Sequence, residues 1–380
     1  MRALVLGAGM MGRAIAYDLA RARGVDGVVL GDISLKAAKE AARWAGSGKI
    51  EPVRVDVADG KAVRRLMSGG FDVAVGAVSY RFNAALAAAA VRAGVNFCDL
   101  GGNNTVVEKE LALDAKAKAA GVTVVPDCGL APGLVQPVAV RALEILGGTA
   151  DELRIRVGGL PLHPKPPLNY KLVFSPEGLV NEYWEPAVAL QNGKPVELES
   201  LTGLEELTFP APFGRLEAFV TSGGASTLPR TMLGKVQDLD YKTIRYPGHC
   251  AIMKGMLWLG LGDTRPVKVG AANLAPRELL LELLRKRLTD EDRDVVLMRV
   301  TASKGDKSVR FQMIDRGAPK RGISAMMRTT AFPAAAVAWM LGTGRIVRKG
   351  ALPQETCLPA EEYLAQVAAR GIKIELWTDG

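Results

Sequence analysis

Three glycines at positions 7, 9 and 12 and an aspartate twenty residues further on, Asp32, are the residues of this chain whose types and spacing speak most directly of chemistry. In Gly7-Ala8-Gly9-Met10-Met11-Gly12 the first glycine permits a tight turn. The second lets backbone approach a pyrophosphate, and the third lets a helix pack close to a strand. The helix entered through Met10 and Met11 would offer unpaired N–H groups and the positive end of its dipole to phosphate. A carboxylate at Asp32 can take both hydroxyls of a ribose and repels a 2′-phosphate. The pattern predicts a site for NAD rather than NADP, with Lys36 as the nearby residue that argues the other way.

These residues need a particular frame, and the surrounding chain supplies it. Residues 3–6 are a short apolar strand running into the glycines, 13–23 an alanine-rich helix, and 28–30 a second strand ending in Gly31-Asp32. Strands over 53–57, 72–77, 96–100 and 122–126 alternate with helices over 59–67, 84–93 and 108–120. That alternation predicts an α/β, doubly wound, parallel Rossmann sheet. Ligands of such sheets sit at the carboxyl ends of the strands. Three segments fall there: Ala77-Val78-Ser79, Asp99-Leu100, and the Cys128-Gly129 stretch of Asp127 to Gly133. The first two are candidates for cofactor contact. The third reads both as a hinge and as a loop lining a nicotinamide pocket. Asp99 reads as a cap or loop acid, or as a group that orients substrate or relays a proton. Cys128 has no histidine or base near it in sequence, so a small packing residue beside the cofactor is the reading preferred over a nucleophile.

After residue 147 the texture changes. Residues 153–160 alternate with period two, as a half-buried antiparallel strand does. A segment rich in proline and aromatic residues follows, then strands over 187–190, 196–198, 216–220, 240–246, 295–302 and 309–314, with helices over 250–259 and 277–288. This predicts a second, α+β substrate and dimerisation domain of mainly antiparallel strands over 127–325. Helices over 334–341 and 361–370 are expected to pack back on the first domain, making it discontinuous, 1–126 with 326–380.

Composition narrows the function classes. The chain has 380 residues, 48% of them apolar and 23% charged, so it has material for two cores. Its formal charge of +9 is spread along the sequence; the densest cluster, Arg285-Lys286-Arg287, has Glu282 and Glu291 nearby and reads as a solvated helix face, not a nucleic-acid site. A mild positive field suits anionic cofactors and carboxylates. No apolar run reaches the roughly 20 residues of a membrane span, and the first one is broken by Arg13 and Asp18, unlike a signal peptide. Four scattered cysteines, 98, 128, 250 and 357, argue against a disulfide scaffold and for a reducing, cytoplasmic setting. With only His163 and His249, no histidine-built metal site is expected.

Five stretches together resemble the saccharopine dehydrogenase-like family: GAGMMG at 7–12, DCGLAPGL at 127–134, PPLNYKLVFSPEGLVNEY at 166–183, KTIRYPGHCAIMKGMLWLGL at 242–261 and MMRTTAFPAAAVAWML at 326–341. Asp32 favours the branch that oxidises the side-chain amine of L-lysine with NAD over NADP-using reductases. The resemblance implies a homodimer, with hydride leaving the amine-bearing carbon, water adding and ammonia leaving. The alternative is a saccharopine- or carboxyspermidine-type imine reductase. Such chemistry needs a neutral amine and a cation for the substrate carboxylate. On the resemblance Arg245 is the carboxylate clamp, against the plainer reading of a surface strand arginine, and Arg230 is a second candidate. Tyr170 and Lys171 form a polar pair read as opening a strand; Lys171 is a base if buried, or else a surface or salt-bridge lysine. Asp99 is the carboxylate expected to meet the substrate ammonium. His249 reads as a helix cap, and His163 as structural.

Overall fold

A computed structural model describes residues 1–289 and 291–379. The chain divides into two compact units, one of residues 1–141, 226–231 and 327–373, the other of 142–225, 232–326 and the C-terminal end. The first therefore includes the segment after residue 126 and a six-residue piece, Ser226–Thr231, whose flanks belong to the second.

The first unit carries strands β1 (Arg2–Leu6), β2 (Gly27–Asp32), β3 (Ile50–Arg54), β4 (Val73–Gly76), β5 (Asn96–Asp99) and β6 (Thr123–Val125). With Gly350–Ala351 they form one parallel sheet in the order Gly350–Ala351, β6, β5, β4, β1, β2, β3. The chain runs outward to one side from β1 and then to the other from β4, so the switch point lies between their carboxyl ends. Helices α1 (Met10–Leu19), α2 (Leu35–Ala45), α3 (Gly60–Met67), α4 (Asn83–Ala93), α5 (Asn104–Leu111) and α6 (Asp114–Ala119) connect them, and α7 (Val135–Ile145) follows β6 along the chain. The core is apolar strand residues such as Leu4, Ala74, Phe97 and Val124 under the alanines of α4.

The doubly wound sheet stands as expected; several local readings need correction. The third strand is 50–54, not 53–57, because β3 is an edge strand registered from Val28↔Ile50 to Asp32↔Arg54, and an edge tolerates Pro52. Helix α2 is not among the expected helices, although Ser34 caps it by accepting from the Ala37 N–H at 3.2 Å and Gly46 ends it with φ +61°. The helix expected over 108–120 is two, α5 and α6, the first capped by Asn103.

The second unit holds β7 (Ala150–Pro161), β8 (Ala187–Gln191), β9 (Lys194–Leu198), β10 (Glu205–Phe209), β11 (Gly214–Val220), β12 (Val236–Arg245), a separate hairpin of β13 (Val267–Val269) and β14 (Ala272–Leu274), β15 (Asp294–Lys304) and β16 (Lys307–Asp315). Its main sheet runs β10, β11, β12, β7, β15, β16, Glu375–Asp379, with β8 and β9 attached through β12. Pairing is antiparallel except between β12 and β7. Residues 170–175 do not open a strand: prolines 164, 166 and 167 and a left-handed Asn169 (φ +49°) hold this stretch irregular. Helix α8 (Pro176–Trp184) then starts at the Ser175 cap. The helix expected over 250–259 is α10 (His249–Met256), following the short α9 (Leu228–Thr231) of the first unit; beyond it the chain loosens into a π-turn over Leu257–Leu261. The alternation of β11 and β12 sorts the sheet's two faces. Phe219 packs with Leu179, Tyr183, Cys250 and Met253 beneath α8 and α10. Leu216, Ala218 and Ile244 pack with Leu160, Val295 and Leu297 on the other face. Among the described residues no helix is long and apolar enough to cross a membrane.

Candidate functional site

The glycine turn lies at the switch point of the first sheet. Gly7 has φ +103°, and a Cβ there would stand 2.3 Å from the Ala77 carbonyl oxygen. At Gly12 a Cβ would fall 1.8 Å from the Gly7 oxygen, whereas at Gly9 it would meet nothing within 4 Å. Gly7 and Gly12 are thus demanded by the unit's own packing, and Gly9 is not. The open space at Gly9, before the first turn of α1, is a cradle of the kind a phosphate fills. Met10 is exposed beside it, Met11 is half-buried, and Ala77 is tied to the turn through its N–H, which donates to the Leu6 oxygen at 2.8 Å. Val78 is half-buried and Ser79 exposed next along the chain. Asp32 accepts from the Ala8 N–H at 2.8 Å and the Ser34 N–H at 2.9 Å, one bond per oxygen. Each oxygen keeps a lone pair for a ribose hydroxyl. These residues fit an adenine dinucleotide.

Asp99, at the end of β5, is fully buried. Its Oδ1 accepts from the Gly101 N–H at 2.6 Å and the Asp127 N–H at 3.4 Å. Two more buried acids, Glu110 and Asp127, stand near it. Burial, reinforced by the Asp99 charge, pushes Glu110 up to about 12, so Glu110 keeps its proton and donates it to Asp99. Burial pushes Asp127 up to about 7, although the Ser226 hydroxyl donates to it. Leu100 is half-buried beside them. Cys128 is buried; its thiol donates to the Val125 oxygen at 3.3 Å, and burial raises its pKa well above the ordinary value, which suits packing and not attack. Gly129 sits in a tight turn closed on Gly133. Arg230 is exposed on α9 of this same unit.

The second unit gathers a different set. Arg245, the last residue of β12, is only 2% exposed. Its Nε donates to the Tyr183 hydroxyl at 2.9 Å and its Nη1 to the Ile244 oxygen at 2.9 Å. The guanidinium lies 4.7 Å from the Tyr170 ring centre and 5.8 Å from that of Tyr183. The Tyr183 hydroxyl, having accepted from Arg245, donates to His249 Nε2 at 3.0 Å, and His249 Nδ1 then donates to the Leu168 oxygen at 2.9 Å. Burial and Arg245 push His249 down to about 3, so the ring is neutral and this direction of donors is the consistent one.

Arg245 has no carboxylate partner among the described residues, and the contrast with the chain's other buried arginine is informative. Arg156 is bound by Glu205 and by Asp240, the latter at 2.8 Å. Glu217 stands directly opposite Arg245 in the ladder, yet its carboxylate accepts from the Gly248 and Cys250 N–H groups at 2.8 and 2.7 Å. It caps α10 and leaves the guanidinium alone. A buried, oriented guanidinium with no ion-pair partner can take a carboxylate.

The structure therefore brings Arg245 and Tyr170 together. Lys171 is turned aside, its Nζ donating to the Asp292 backbone oxygen. His249 is not the expected cap: Glu217 performs that task, and the imidazole is part of the arginine's support. Exposed His163 pairs with Asp292 at 2.8 Å. Sequence reasoning missed Glu182 and Tyr183. Both stand in the PEGLVNEY stretch, where a carboxylate and a tyrosine side by side at the end of a helix were the available signal. Glu182 is half-buried, and burial pushes it up to about 7 against the pull of Arg245.

A parallel sheet with a glycine turn at its switch point and an acid at the end of its second strand defines a dinucleotide-binding protein. Residues 3–125 match the saccharopine dehydrogenase NADP binding domain and residues 129–372 the saccharopine dehydrogenase C-terminal domain. The chain belongs to the saccharopine dehydrogenase family. It is 26% identical over 296 residues to the mitochondrial alpha-aminoadipic semialdehyde synthase of Mus musculus, covering 74% of this chain and 31% of that protein. It is 26% identical over 267 residues to the NADP(+)-dependent, L-glutamate-forming saccharopine dehydrogenase of Pyricularia oryzae, covering 68% of this chain and 57% of that one. The chain thus spans about a third of the first relative's length. Among solved structures, apo saccharopine dehydrogenase (L-Glu forming) from Saccharomyces cerevisiae superposes with a TM-score of 0.80 at 19% identity, covering all of both chains. The NAD complex of homospermidine synthase from Legionella pneumophila gives 0.67 at 12% identity, covering 100% of this chain and 91% of that one. These two likenesses bear on the fold.

Proposed function

We propose that the protein is an NAD-dependent oxidoreductase of amino acids that oxidises the side-chain amine of L-lysine, an L-lysine 6-dehydrogenase working in the cytoplasm as a homodimer. The observation that carries this reading is the buried Arg245 without a carboxylate of its own, in a chain whose first unit has a dinucleotide cradle ending in Asp32. The glycine turn would hold the pyrophosphate, Asp32 the adenine ribose, and the segments Ala77-Val78-Ser79 and Asp99-Leu100 would flank the nicotinamide half. When bound, the dinucleotide accepts a hydride. Arg245 fixes the substrate carboxylate, and Tyr170 and Tyr183 hold the guanidinium in place. The reaction consumes water and releases ammonium and a proton, leaving an aldehyde that closes on its own α-amine. Asp99 acts through the buried acids around it, and Cys128 and Gly129 shape the turn beside it. Lys171, whose Nζ donates to the Asp292 carbonyl oxygen, completes the proposed catalytic set with Asp99 and Tyr170.

A second reading is a saccharopine- or carboxyspermidine-type imine reductase, favoured by the names of the relatives. Absorbance of NADH at alkaline pH separates the two. Production from L-lysine alone supports the first; none from lysine, with turnover of saccharopine, selects the second. Arg245→Ala is expected to lower kcat/KM at least ~100-fold, the loss of a buried charge-assisted contact, while the affinity for NAD measured by calorimetry is retained. Asp32→Ala is expected to narrow the preference for NAD over NADP at least ~10-fold. An unaltered preference would exclude Asp32 as its source.

A further inference from the structure

We infer that Glu182 and Arg245 together read the two charges of a free amino-acid head, Arg245 taking the α-carboxylate and Glu182 the α-ammonium, so that the second unit selects α-amino acids over amines and ω-amino acids. The inference rests on the reading of Arg245 as a carboxylate clamp. Its own observation is a second charge left without a partner. Glu182 and Tyr183 are neighbours on α8, and adjacent helix residues diverge by about 100°. Tyr183 reaches Arg245 Nε, and that bond, the Ile244 carbonyl and the flanking rings hold the guanidinium still. Glu182 is consequently within the field of Arg245 but makes no ion pair with it. Among the described residues no donor hydrogen-bonds its carboxylate either.

A half-buried carboxylate and a buried guanidinium, both lacking partners and kept from collapsing on each other, are the complement of a zwitterion. Each desolvated charge costs free energy until an opposite charge arrives. The ionisable groups facing Glu182 are Arg245 and, from the neighbouring loop, helix and strand, Tyr170, Tyr183 and Tyr241. The tyrosines keep their protons at neutral pH, each pushed up by burial. Glu182 is therefore the group that changes charge near neutrality.

The test is calorimetric binding, so it does not depend on turnover. L-lysine is compared with 6-aminohexanoate, and L-glutamate with glutarate; within each pair only the α-amine differs. The expected result is at least a ~10-fold preference for the amino-bearing member of one pair, weakening below pH 7 as Glu182 takes a proton. In Glu182→Gln that preference and its pH dependence disappear, while glutarate or 6-aminohexanoate binds as before and NAD affinity holds. Equal binding within both pairs, or a preference that persists in Glu182→Gln, overturns the inference. Failure of the lysine reading has a different signature: no NADH from L-lysine, with the glutamate pair still discriminated.

Discussion

At the scale of single residues, glycines with the same place in one motif have different physical reasons. Gly7 and Gly12 serve the fold, since an added Cβ meets backbone at 2.3 and 1.8 Å; Gly9 is not required by the fold, since an added Cβ meets only space. Substitution separates the two. Gly12→Ala is expected to cost more than about 2 kcal/mol of stability through overpacking against backbone, seen as a lower denaturation midpoint. Gly9→Ala is expected to leave the midpoint unchanged and to weaken NAD binding at least ~10-fold. A Gly9→Ala variant that binds NAD normally would show that the space is not where the phosphates sit. The motif's spacing already assigns the three glycines different tasks; the colliding atoms, from Ala77 and from Gly7 itself, are fixed only after the strand and helix have folded together.

At the scale of elements, β12 shows how one strand sorts paired from unpaired charge. Its alternation sends Asp240 and Lys242 into the network with Arg156 and Glu205, and Tyr241, Thr243 and Arg245 to the face beneath α8 and α10. Opposite Arg245, Glu217 is committed to the N–H groups at the start of α10. Glu217→Ala is expected to destabilise the protein by about 1–3 kcal/mol, the cost of a lost charge-assisted cap, measurable by urea unfolding. The elements themselves were largely legible. The βα alternation and the period-two strand at 153–160 come from local patterning, which needs no tertiary information. What local patterning could not reveal was the irregular stretch at Tyr170-Lys171, held by prolines and a left-handed Asn169, or the terminal strand Glu375–Asp379, whose partner β16 makes it a strand.

At the scale of the whole molecule, the buried acids of the first unit tie stability to pH. Glu110 and Asp127, like Asp99, hold protons to higher pH folded than unfolded, Asp127 to about 7 and Glu110 to about 12. Above about pH 4 the unfolded chain releases protons that the folded chain retains. Stability is then fully present below that pH and declines as pH rises, with the Asp127 share gone above about 7 and the Glu110 share still falling. Glu110→Gln removes one of these titrations while keeping a donor for Asp99. Its Tm is expected to exceed the parent's by about 3 °C or more at pH 8 and to match it near pH 4. An equal shift at both pH values would assign the effect to packing. By itself the amino-acid sequence determined the glycine turn with its acid and the parallel sheet, because these depend on neighbours close in the chain or on a motif that carries its own geometry; Arg245 was singled out through the family resemblance alone. Only the tertiary structure decided that Glu182, Tyr183 and His249 belong with Arg245, that Asp99 is buried with Glu110 and Asp127, and that Lys171 turns away. Burial and the pairing of charges depend on which distant segments come to rest side by side, and no spacing along the chain encodes that.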